Sequence, residues 1–187
     1  MRSNLLSFAF LAFVLLPIFA NGQSTEALQV FEIAVADARG GRHIDALDGF
    51  KRTLAIIERE PASDAFTARV HFNIGVTLYQ LRIHSGSEFH LERALAYSRG
   101  RHAKAHYVLG LLRLEENELV DARESLKSAV VLDSRNGDAW YDLGRAYLGL
   151  NETEKARRAF RKAAKNGVDV RSAEQTAAAA ISLTAYE

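Results

Sequence analysis

Cysteine is absent from the 187-residue chain, so neither a disulfide nor a thiolate metal site can form, and no cysteine follows a leader to carry a lipid. Nor is charge of one sign in excess: 24 lysines and arginines face 23 acids, for a net charge of +1. A protein that holds nucleic acid through its phosphates carries a marked basic surplus, and that class is not expected here. The chain has no phosphate-cradling glycine loop, no nucleophile elbow, no metalloprotease histidines flanking a glutamate and no convincing carboxylate pair. A catalytic role and a cofactor are therefore not expected. Sustained alternation of β-branched residues is also missing, which removes the sheet classes. Proline occurs twice: Pro17 interrupts the longest apolar run, and Pro61 ends a helix.

What is present begins with a leader. Arg2 is followed by an apolar stretch from Leu5 to Leu16 that continues through Ile18 and Phe19, and Ala20-Asn21-Gly22 offers the small residues that cleavage needs. The pattern predicts a signal peptide over residues 1–22, cut before Gln23 or after Ala20, and export to a periplasm or the outside. A retained anchor would need roughly 20 apolar residues to cross a bilayer. This core is shorter and is broken by Pro17. Residues 23–187 are then long enough for one domain with a substantial core.

Apolar residues recur at helical spacing, punctuated by Gly, Asn and Asp, which predicts an all-α chain. The recurrence also has a longer period. Counted from Gly137, Trp140 is fourth, Leu143 seventh, Gly144 eighth, Tyr147 eleventh, Ala156 twentieth, Phe160 twenty-fourth and Ala163 twenty-seventh. One unit earlier, from Ala103, the same places hold His106, Leu109, Gly110, Arg113, Ala122, Leu126 and Ala129. From Ala68 they hold His71, Ile74, Gly75, Leu78, Ser87, Leu91 and Ala94. A fainter copy runs from Ala27 through Val30, Ile33, Ala34, Asp37, Ala46, Phe50 and Thr53. The tiny residues at places eight and twenty let paired helix backbones approach while larger neighbours fill the space beside them.

This pattern resembles the tetratricopeptide repeat, a helix-turn-helix unit of about 34 residues that stacks into a superhelix. The resemblance implies a right-handed α-solenoid with units near 27–60, 68–101, 103–136 and 137–170, closed by a capping helix over 171–186. At Val168 the family usually has a proline, and Asn166-Gly167 stands in as the stop signal.

The resemblance also implies a role: such arrays mostly hold partners on a concave face lined by the first helix of each unit. Carried over place by place, the groove set comprises Phe31 and Arg39, then Arg69, Phe72, Asn73, Val76 and Tyr79, then Lys104, Tyr107 and Leu111, then Tyr141 and Arg145. A ring recurs at the fifth place in all four units (Phe31, Phe72, Tyr107, Tyr141). Rings interleaved with cations suit an extended peptide or protein segment. Some family members grip a terminal carboxylate with five polar residues. Asn73 and Lys104 stand at two of those places but Phe31, Val35 and Val108 at the others, so that grip is not expected. The function expected is a non-enzymatic interaction scaffold or assembly factor of a cell envelope. The alternative is a structural subunit that self-associates through its terminal helices. His102 and His106 lie one helical turn apart but lack a third ligand, so no metal is expected. Asn151-Glu152-Thr153 matches a glycosylation acceptor.

Overall fold

The computed structural model describes residues 24–173 and 175. The leader and most of the expected capping helix lie outside them, although residues 171–173 are helical. The described residues form eight helices and no strand: α1 (Thr25–Arg39), α2 (His43–Arg59), α3 (Asp64–Gln80), α4 (His84–Tyr97), α5 (Ala103–Glu115), α6 (Leu119–Leu132), α7 (Gly137–Gly149) and α8 (Thr153–Lys165). They pair in sequence as four hairpins. Each first helix packs on its own second helix and touches the first helix of the next hairpin, while α2, α4 and α6 hand on to the helix that follows them. The architecture is an α-solenoid of helix hairpins.

Local chemistry sets the helix ends. All four first helices have side-chain N-caps: Ser24 accepts from the Ala27 N–H, Ser63 from Phe66, the His102 ring from Ala105 and Asn136 from Ala139. Each such bond satisfies one of the amide donors a helix start leaves orphaned. The second helices follow too closely for this and begin from tight turns instead. At the fifteenth place of every unit the backbone enters the left-handed region, at Gly41, Arg82, Asn117 and Asn151. The next amide reaches back to the carbonyl five residues earlier: Arg42 to Asp37, Ile83 to Leu78, Glu118 to Arg113 and Glu152 to Tyr147, at 2.8–2.9 Å. That is a Schellman closure repeated four times.

The hairpins nest through the notch at the eighth place. A Cβ placed on Gly75 would lie 2.7 Å from Leu91 Cγ, one on Gly110 2.5 Å from Leu126 Cγ, and one on Gly144 2.6 Å from Phe160 Cδ1. The notch is thus filled by the large residue of place twenty-four. Place twenty meets the backbone, which is why a serine can serve there: the fully buried Ser87 hydroxyl donates to the Gly75 carbonyl at 2.8 Å. In the first hairpin the arrangement is inverted. Ala34 holds place eight, and the space comes from Gly49, where an added Cβ would sit 2.7 Å from the Ala34 Cβ. Its two polar departures are also satisfied: Asp37 pairs with Arg42 at 2.5 Å, and buried Thr53 donates to the Gly49 carbonyl at 2.9 Å.

Candidate partner-binding groove

The first helices place the expected residues in a row, but exposure divides them. Phe72, Tyr107 and Tyr141 are partly exposed, as are Asn73, Val76, Tyr79 and Leu111, while Arg39, Arg69, Lys104 and Arg145 are exposed. Phe31 is not a wall residue. Its ring is 1% exposed and packs between Phe50 (centroids 5.6 Å apart) and Phe66 (5.2 Å, edge-on). The cause is α3, which starts at Asp64, four residues ahead of the repeat frame, and so carries Phe66 over the first hairpin. Arg69 then lies above both rings, 4.9 Å from the Phe31 centroid and 5.9 Å from that of Phe66, with Glu32 at 3.8 Å. The cation covers the ring that was expected to face the groove.

The remaining rings have structural ties as well. Phe72 packs at a tilt against His102, centroids 4.5 Å apart, and Tyr141 leans on Phe160 at 5.5 Å. The Tyr107 hydroxyl donates to Asp142 Oδ2 at 3.1 Å, in the next unit, and Tyr79 donates to Glu115 Oε1 at 2.5 Å. Burial and the facing carboxylate push the Tyr79 phenol up to about 12, and the same two causes raise Tyr107 further. Both phenols stay protonated and act as donors that lock the pitch between units. Asp142 is 6% exposed and receives Arg145 at 2.8 Å as well. Burial nonetheless holds its carboxyl above the usual range.

Sequence reasoning did not single out Asp142, nor the cluster in which Arg82 and His84 meet Glu115 at 2.9 and 3.5 Å. An acid among the small and apolar residues of the buried face of α7 was the available signal for Asp142. No comparable signal marks a cluster assembled from two separate turns. Of the repeat-defining residues, Gly75, Gly110, Leu143, Gly144, Ala122, Ala156 and Phe160 are buried, whereas Trp140 and Tyr147 are partly exposed and face away from the groove. His102 and His106 do not converge on a common ligand position: His102 Nδ1 accepts the Ala105 amide, and His106 Nε2 pairs with the Gly100 carbonyl at 3.0 Å.

A histidine pair does form elsewhere. His71 Nδ1 and His90 Nδ1 are 3.0 Å apart, joining α3 to α4, with the His71 ring stacked on Tyr97. One nitrogen must donate and the other accept, so the contact exists only while at least one ring is neutral. Burial lowers His71 to about 4 and lowers His90 and His102 as well, helped by Lys51 and Arg93 around the pair. Between pH 6.5 and about 4 the unfolded chain therefore binds more protons than the folded one, and stability falls as the pH drops through that window. Asp142 opposes this, but it is one group against three. The melting midpoint should fall on acidification from pH 7 to 4, with the fall reduced in His71→Phe; circular dichroism against temperature at each pH checks it.

A protein-family model described as the tetratricopeptide repeat matches residues 113–181. No curated protein matches the chain. Among solved structures, MamA superposes with a TM-score of 0.66 at 20% identity, covering 75% of this chain and 77% of that one. YrrB, described as a TPR protein with an unusual peptide-binding site, gives 0.61 at 20% identity over 75% and 69%. The first TPR of Spaghetti (RPAP3), bound to the HSP90 peptide SRMEEVD, gives 0.60 at 19% identity over 69% and 98%. At these identities the likeness is one of fold.

Proposed function

We propose that the chain is an exported, non-enzymatic tetratricopeptide-repeat protein that holds an extended peptide or protein segment along its row of first helices, as an assembly factor of a cell envelope. The observation that carries this reading is the continuous wall of α3, α5 and α7, where Phe72, Tyr107 and Tyr141 repeat at one place in successive units beside exposed Arg69, Lys104 and Arg145. Half-exposed rings already held by neighbours lose little entropy on burial by a partner, and flanking cations orient an acidic one. YrrB and the RPAP3 domain, which share the fold, are described with a peptide-binding site and a bound peptide. Export rests on the leader pattern of residues 1–22.

The test is photocrosslinking in the native compartment. A photoreactive side chain at Val76 or Leu111 should yield adducts that Phe72→Ala combined with Lys104→Glu reduces about tenfold, and a probe at outward-facing Phe89 should not. Adducts from Phe89 alone would end the groove reading. One observation favours a second reading, self-association through the first hairpin. The seventh place is buried in later units (Ile74 0%, Leu109 2%, Leu143 2%), yet Ile33 there is 62% exposed and Ile44 nearby 75%. A dimer by light scattering that Ile33→Glu dissolves would establish it.

A further inference from the structure

The same three first-helix places and the same second-helix turn enclose a cleft in each of the last two units, on the side of the hairpins away from the groove. In the third unit it holds about 210 Å³ and is lined by His106, Leu109 and Arg113 with Glu92, Glu124 and Ser128. In the fourth it holds about 350 Å³, lined by Trp140, Leu143 and Tyr147 with Lys155, Arg158 and Lys162. The repeat makes the hollow, and its chemistry is inverted between neighbours. Trp140 stands where His106 does, Tyr147 where Arg113 does, Arg158 where Glu124 does and Lys162 where Ser128 does.

The cations of the fourth-unit cleft belong to an unbalanced helix. α8 carries Lys155, Arg157, Arg158, Arg161, Lys162 and Lys165 against a single acid, Glu154. In a chain of net charge +1, this concentrates positive potential on one hairpin. Lys155 pairs with Glu152 and Arg157 with Glu154, whereas Arg158 and Lys162 have no ion-pair partner among the described residues. In the third-unit cleft, by contrast, Arg113 is spent on Ser125 at 2.7 Å and Glu88 at 3.4 Å, and Glu124 on Arg123 and Lys127.

We propose that the fourth-unit cleft is a second docking site, separate from the groove, for an acidic peptide segment of a protein partner. One apolar side chain would settle on the Trp140–Leu143–Tyr147 floor while flanking carboxylates reach Arg158 and Lys162. A volume of this size suits a few side chains. Base stacking fits less well, because Lys155 lies over the Tyr147 face at 5.7 Å and the Trp140 indole is tied by its N–H to the Ser134 carbonyl at 3.0 Å. A flat bilayer would not reach a recessed floor.

Trp140 is the sole tryptophan, so its emission reads the site directly. Titrating the purified protein with a synthetic Glu-Glu-Phe-Glu-Glu peptide should shift that emission saturably, less so at high salt, and the Gln-for-Glu peptide should not. Arg158→Glu with Lys162→Ser, the residues the third unit carries at those places, should weaken binding at least tenfold while helicity and melting stay unchanged. Phe72→Ala in the groove should leave binding intact, so failure here and failure of the groove reading are distinguishable. The site is overturned if emission does not respond, if the Gln peptide binds equally, if the double variant binds as before, or if oligothymidine or phosphatidylglycerol vesicles, and not the peptide, engage Trp140.

Discussion

Gly144→Leu should lower the stability of the last unit by about 3 kcal/mol, the upper end of ordinary overpacking costs, a fall of about 6–12 °C in melting midpoint for a chain of this size. A Cβ at this position would already lie 2.6 Å from Phe160 Cδ1 and 2.8 Å from Cζ. The obstacle is a stiff, fully buried ring that also meets Tyr141. Leaving glycine inside a helix costs about 1 kcal/mol relative to alanine, so the chain keeps this residue for the close approach and against local preference. Gly149 supplies the control. There the nearest atoms to an added Cβ are the two terminal methyls of Leu119, at 2.7 and 3.1 Å, and the end of a partly exposed, flexible side chain can move. Gly149→Ala should leave melting nearly unchanged. Because each unit contacts only its neighbours, the Gly144→Leu loss should show as early melting of α7 and α8 while the first hairpins persist. Hydrogen exchange resolved by segment checks this, and uniform protection across α7 would count against the notch.

The notch at place eight and the large residue at place twenty-four were legible because they answer a local demand that recurs, whereas the left-handed turn at place fifteen, held by Gly41, Arg82, Asn117 and Asn151, has no common side chain to announce it. The first hairpin was harder to read because it meets the same demand with other residues. Moving the missing volume from Ala34 to Gly49 leaves the helix contact intact and erases the pattern. Asp37 likewise stands at a normally apolar place because Arg42, five residues on, neutralises it. Both compensations couple positions whose partners only the folded hairpin identifies. The groove was legible as a row of places but not in its exposure, since exposure depends on what covers each place. Phe66 lies outside the repeating set; Pro61 as a stop and Ser63 as a cap mark where α3 begins, but not that its extra turn packs over the first hairpin. The contrasting clefts of units three and four were not legible for a related reason: nothing in the repeat frame marks Glu124 or Arg158, and only the fold sets them over equivalent floors.

Phe31 separates a ring that holds the array together from one that serves a partner. Phe31→Ala should cost about 3–5 kcal/mol, as expected for removing a fully buried phenylalanine, since Phe50 and Phe66 would face an empty volume and Arg69 would lose the ring beneath it. The effect should be greatest in α1 and α2, which have a neighbouring unit on one side only among the described residues, and it should be measurable as loss of helicity below the main transition. Phe72→Ala removes a half-exposed ring and should cost less than half as much, yet it should reduce crosslinking from Val76, which Phe31→Ala should do only where the first hairpin has unfolded. Measuring both variants by thermal denaturation and by crosslinking yield at a temperature where each is folded distinguishes the roles. If Phe31→Ala left melting unchanged but abolished partner capture, the ring would belong to the groove after all, and the placement of Phe66 over the first hairpin would be wrong.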